Sequence, residues 1–107
     1  MSYEVIATPY FKRVLKKLVK KFPSIKSDFS KLVESLQKEP RQGTHLGNNC
    51  YKVRMAISSK GKGKSGGSRV ITHLQISNTT IYLLSIYDKS EKENISDKEL
   101  KALIRDI

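Results

Sequence analysis

The spacing of apolar residues changes at Pro40, and that change limits what this chain can fold into. Before Pro40 apolar side chains recur at three- and four-residue intervals; after it they alternate with polar ones. The first pattern puts an apolar stripe on a helix, and the second puts an apolar face on a strand. A chain with helices first and strands after builds an α+β fold, with the helices gathered on a sheet.

The helical part can be read closely. Tyr3–Ala7 is short, apolar and β-branched, and predicts a strand. Thr8 followed by Pro9 is a helix start, threonine as N-cap and proline in the first turn. Phe11, Val14, Leu15, Leu18, Val19 and Phe22 then follow at helical spacing. Lys12, Arg13, Lys16, Lys17, Lys20 and Lys21 fall on the opposite side, so the exposed face is wholly basic. Pro23 ends this helix and Ser24 is placed to cap a second, carrying Ile25, Phe29, Leu32, Val33 and Leu36. The short link predicts a helical hairpin.

Beyond Pro40, Tyr51, Val53, Met55 and Ile57 alternate with Lys52, Arg54 and Ala56. Val70, Thr72, Leu74 and Ile76 alternate with Arg69, Ile71, His73 and Gln75. A third run covers Thr79–Tyr87 after a turn at Asn78. These predict three sequentially joined antiparallel strands. Ser96 with Glu99 forms a capping box for a last helix through Leu100 and Ile104. The expected order is β-α-α-β-β-β-α, a helical hairpin packed on a mostly antiparallel, twisted sheet. At 107 residues the chain is expected to be one domain, residues 1–107.

Charge points to the partner. Lys and Arg outnumber Asp and Glu by 21 to 10, a net charge of +11. From Pro40 to Tyr87 there is no acidic residue, while Arg41, Lys52, Arg54, Lys60, Lys62, Lys64 and Arg69 all lie there. Such a block repels itself unless an anion offsets it, and a phosphate backbone is the obvious anion. A membrane surface has less support, and the longest apolar runs are far too short to span a bilayer. Glu4 and the lack of an apolar signal core argue against secretion. The lone Cys50 allows no intramolecular disulfide, which suits a reducing cytoplasm; its place at the start of a strand suggests a small buried residue. The two histidines and one cysteine stand at unrelated spacings and give no metal site. No cofactor is expected.

The segment Lys60-Gly61-Lys62-Gly63-Lys64-Ser65-Gly66-Gly67 ends like a phosphate-binding P-loop. That motif needs a glycine where Ser58 stands and a helix after it, whereas this segment lies between strands. It reads instead as a hairpin loop whose three lysines can grip backbone phosphates. Strand parity adds Lys52 and Arg54 on one sheet face, with Arg69 opening the next strand and Lys89 ending the last. If the strands meander, these four cations converge. RNA self-cleavage needs an oriented chain, neutralised phosphorane charge and assisted proton transfer. Arg54 and Arg69 suit bidentate charge stabilisation. Lys52 or Lys89 could stabilise charge or move a proton. Tyr87 and His73 are weaker acid–base candidates, and His45 lies in an expected loop.

The runs Tyr51-Lys52-Val53-Arg54-Met55-Ala56, Lys60 to Ile71 with its Gly66-Gly67-Ser68-Arg69 end, and Tyr82-Leu83-Leu84-Ser85-Ile86-Tyr87-Asp88-Lys89-Ser90-Glu91 resemble the RelE/ParE superfamily of type II toxins. The glycine–lysine loop is most similar to the HigB-like, RelE-type branch. The resemblance implies a ribosome-dependent mRNA endonuclease (an mRNA interferase) that inhibits translation, neutralised by an antitoxin encoded beside it, often a helix-turn-helix protein in this branch. It matches Lys52 and Arg54 to paired basic residues of the family, Arg69 to a strand arginine, and Lys89 to a position often arginine or lysine. It also implies that the basic helix face meets ribosomal RNA. Some members use a C-terminal tyrosine as base; the matching region near Ile95 has none, so Tyr87 or a lysine would substitute. Two other readings are a ParE-type gyrase-inhibiting toxin, disfavoured by the retained cations, and an RNA-binding module without chemistry, disfavoured because Tyr51 and Tyr82 are expected in the core.

Overall fold

The computed structural model of the protein describes residues 2–61, 63–64 and 66–107. Its elements are β1 (Glu4–Ala7), α1 (Pro9–Lys21), α2 (Ile25–Lys38), β2 (Thr44–Gly47), β3 (Cys50–Met55), β4 (Ser68–Gln75), β5 (Thr80–Asp88) and α3 (Asp97–Arg105), with single 3-10 turns at Ser58–Lys60 and Ile76–Asn78. The five strands form one sheet in the order β1-β5-β4-β3-β2. β1 runs parallel to β5, and the remaining pairs are antiparallel. The α+β class, the helical hairpin and the mostly antiparallel sheet are all as the sequence predicts.

The predicted caps divide. Thr8 caps α1: its Oγ1 accepts from the Phe11 N–H at 3.2 Å and donates to the Leu83 carbonyl at 3.0 Å, so the cap also pins α1 to β5. Ser96 and Glu99 form the full capping box on α3. Ser24 does not cap α2. It already has helical backbone angles, and its hydroxyl bonds Asp28 at 3.2 Å and Ser59 at 2.9 Å. The link between the helices is so tight that Ser24 is part of the turn, and its side chain ties α2 to the 3-10 turn instead.

β2 is absent from the order that the apolar spacing predicts. The strand is only four residues long and half of it is exposed, so it shows no period. Its signal was the Asn48-Asn49 pair: both have positive φ, +52° and +58°, the two-residue turn that joins twisted antiparallel strands. His45 therefore stands in a strand, with its ring 5.0 Å from that of its cross-strand partner Tyr51.

Two cores lie on opposite faces of the sheet. The larger joins Phe11, Leu18, Ile25, Leu32 and Leu36 of the hairpin to Val53, Met55, Val70, Leu74, Ile81, Leu83 and Ile86. The smaller, under α3, gathers Cys50, Ile71, Leu84, Tyr87 and Leu100. β5 supplies side chains to both, and it carries a bulge. Ile71 pairs with Ser85 but Thr72 pairs with Leu83, which leaves Leu84 without a partner. The extra residue resets the alternation, so Tyr82 and Tyr87, five positions apart, face the same side.

Candidate functional site

The face under α3 carries the cations. Arg54 on β3 is the cross-strand partner of Arg69 on β4, and Arg69 is the partner of Tyr87 on β5. Cross-strand partners project to the same face, so these three side chains form a row. One pair along, Lys52 opposes Ile71, two residues from Arg54 on the same face. Like charges directly opposite are unfavourable, and here two arginines are held in that relation by the sheet.

The members of the row differ in access. Arg54 is exposed. Arg69 is only 4% exposed, and its guanidinium donates to the carbonyls of Lys64 at 3.1 Å and Ser68 at 3.0 Å. It fastens the glycine–lysine loop to the sheet as well as adding charge beneath it. Gly67 fixes the other end: a Cβ there would lie 2.3 Å from the Met55 carbonyl oxygen, so only glycine lets the loop press against β3. The Gly67 carbonyl accepts from the Lys89 N–H at 3.1 Å, which brings Lys89, two residues past Tyr87, to the same end of the sheet. Among the described residues Arg54, Lys64 and Lys89 enter no ion pair.

Residues 92–95 cover the rest. Lys52 Nζ donates to Asn94 Oδ1 at 3.0 Å. The Tyr87 hydroxyl reaches the Glu93 carbonyl at 3.5 Å, a long contact, and Lys92 Nζ lies 5.5 Å from the Tyr87 ring centre. Lys92 also pairs with Glu99 of α3. Burial raises the Tyr87 pKa, the positive charge of Arg69 opposes this, and Glu99 adds to it. The phenol is thus held in its protonated form. Ile95 packs against the smaller core. Nothing periodic marked Lys92, Glu93 or Asn94, because their contacts span the sheet rather than a local element.

Other predicted residues lie elsewhere. Lys60 is not a mobile loop ammonium: it bonds Asp88 Oδ1 at 2.9 Å and sits 5.2 Å from the Phe22 ring centre, on the hairpin side. Asp88 is the first carboxylate after the acid-free stretch. Lys62 lies outside the described residues. Lys12, Arg13, Lys16, Lys17 and Lys20 are exposed along α1, while Lys21 pairs with Glu91 at 2.9 Å. His73 is four residues from Arg69, about 13 Å along the strand, and its Nδ1 is 3.4 Å from Cys50 Sγ. Burial lowers the His73 pKa and pushes the Cys50 thiol up to about 11, so neither is poised as an acid–base or nucleophilic group.

Residues 5–105 match the family described as "RelE toxin of RelE / RelB toxin-antitoxin system". The chain belongs to this family. Among solved structures it is similar to a doubly mutated E. coli toxin RelE in the free state, at 18% identity, over 95% of this chain and 98% of that one, with a TM-score of 0.66. It is also similar to a chain of the RelBE2 toxin–antitoxin complex from Mycobacterium tuberculosis, at 19% identity over 82% and 99%, TM-score 0.62. A third match is to the intact E. coli RelBE toxin–antitoxin complex, at 16% identity over 81% and 96%, TM-score 0.63. At these identities the structures establish a shared fold.

Proposed function

We propose that this chain is the toxin of a toxin–antitoxin pair and a ribosome-dependent endoribonuclease of mRNA. The observation that carries the reading is the row Arg54–Arg69–Tyr87, with Lys52 beside it on the same face. In the reaction the 2′-hydroxyl oxygen bonds to the adjacent phosphorus and the bond from phosphorus to the 5′ oxygen breaks. A 2′,3′-cyclic phosphate and a 5′-hydroxyl are left. Arg54 and Lys64, both exposed, grip the non-bridging oxygens, and Arg69 adds charge from below while holding the Lys64 backbone. Tyr87, kept protonated by burial, suits donation to the leaving oxygen. A lysine accepts a proton only as the neutral amine, so whichever of Lys52 and Lys89 is in that form takes the 2′-hydroxyl proton while the other adds positive charge. A small outward movement of residues 92–95 frees Lys52 and Tyr87, whose present partners there are one hydrogen bond, one long contact and the Lys92 ammonium over the Tyr87 ring.

The basic face of α1 supports docking on ribosomal RNA. The two complexes among the structural matches support an antitoxin partner here, one whose acidic or amphipathic segment covers the cationic face. Placement in the HigB-like branch rests on the glycine–lysine loop alone, and the reading sets the work in the cytoplasm. Induction of the chain followed by mapping of mRNA 5′ ends should reveal new ends in translated codons. Arg54→Ala should reduce their yield about 10²-fold, as for loss of a charge-stabilising donor. An intact message pool under the wild-type chain, above all with induced DNA-damage signalling, would overturn the nuclease reading.

A further inference from the structure

A cavity of about 360 Å³ opens beside Arg54, where β2 has stopped pairing and the edge of β3 faces α2. Lys31, Ser35, Gln42, Arg54 and Lys64 line it, over a floor that includes Leu32 and Met55. Among the described residues the ammonium and guanidinium groups of Lys31, Arg54 and Lys64 have no side-chain partner. The one carboxylate, Asp28, is already met by three donors: Ser24 Oγ at 3.2 Å, the Ser58 N–H at 2.9 Å and the Ser58 hydroxyl. Three cations therefore face a single carboxylate that is engaged elsewhere.

The polar pair in the wall is oriented. Gln42 Nε2 donates to Ser35 Oγ at 2.8 Å and to the Glu39 carbonyl at 3.0 Å. Both amide hydrogens are thereby used, which leaves the Gln42 carbonyl oxygen as an acceptor and the Ser35 hydroxyl hydrogen as a donor. Gly43 fixes this wall against the sheet: its φ is +95°, and a Cβ there would stand 2.4 Å from the Lys52 carbonyl oxygen. The cavity falls within the range of small-ligand sites, about 300–1,000 Å³. An apolar floor, a fixed donor–acceptor pair and a cationic rim together match a nucleobase with its phosphate.

We infer that this cavity seats one RNA nucleotide next to the scissile phosphate, with Gln42 and Ser35 reading its base and Lys31 holding its outer phosphate. The inference rests on the nuclease reading, Arg54 being the residue shared by the cavity and the cation row. Gln42 would then be a specificity-determining residue and Lys31 a binding residue.

The test compares the wild-type chain with Gln42→Ala, Lys31→Ala and Lys31→Arg, all with the circular-dichroism spectrum of the folded protein. Mapping of mRNA 5′ ends should show a base preference at one position beside the cut, and Gln42→Ala should weaken that preference about tenfold. Binding of a short fluorescein-labelled single-stranded RNA should weaken about fivefold in Lys31→Ala, with a salt slope lower by about one, and should recover in Lys31→Arg. A wild-type chain that cleaves with no base preference, or variants that keep both its preference and its affinity, would overturn the inference and leave the nuclease reading standing. A wild-type chain that does not cleave removes the nuclease reading. The binding arm then decides whether the cavity holds RNA at all, and an unchanged affinity in Lys31→Ala removes that too.

Discussion

The two faces of the sheet have been put to different uses. Against the hairpin, α1 and α2 bury a continuous core, and the charge at its margin is neutralised by the Lys60–Asp88 pair, whose carboxylate is 1% exposed. Against α3, a shorter helix covers a smaller core and leaves Arg54 exposed beside a buried arginine. On the hairpin side the sheet itself is given to packing, and unpaired cations stay on the outer surface of the helices; on the α3 side the sheet itself keeps cations that the fold does not neutralise. A charge excess spread over the sequence thus becomes, within the sheet, a difference between its two faces.

Truncating apolar side chains should expose that difference most strongly. Phe11→Ala should cost about 4 kcal/mol and Leu100→Ala about 2 kcal/mol, because the hairpin core has less freedom to collapse into the void. Chemical denaturation of both variants checks the order, and a larger loss for Leu100→Ala would break the comparison.

Next comes the ion pair. Lys60→Ala should cost about 3 kcal/mol, since it strands a buried carboxylate. Burial alone would raise the Asp88 pKa, but the hydrogen bond from Lys60 and those from Ser90 more than offset it, and the net shift is downward. A carboxylate with a depressed folded pKa contributes stability above its unfolded value and loses it as pH falls through the folded one. The contribution of Asp88 is therefore intact above its ordinary 3.8 and fades in more acid solution. Wild-type melting midpoints should fall on acidification below that value, and Lys60→Ala should fall less steeply. Parallel acid curves would show that the pair is not what titrates.

The smallest expected change in stability is at the open face. Arg54→Ala removes one of two directly opposed like charges, so its melting midpoint should stay level or rise slightly while RNA binding weakens. A clear drop in midpoint would mean that Arg54 serves the fold, and the contrast between the faces would be gone.

Much of this was legible in the residues. The period change at Pro40, the Thr8 cap, the Ser96–Glu99 box and the parity of Lys52 with Arg54 are set by neighbours within a turn or a pleat, and such patterns survive in one dimension. The sequence by itself determined that this chain makes a helical hairpin and a basic sheet. Only the tertiary structure decided which cations stay open. Lys60 and Lys64 look alike in the loop, yet Lys60 meets Asp88 across 28 positions while the Lys64 backbone is caught by Arg69. The bulge at Leu84 shifts the parity of half a strand, and Tyr87 joins Arg69 because of it. Pairing at such separations depends on register and on packing against α3, and no periodicity in the chain records either.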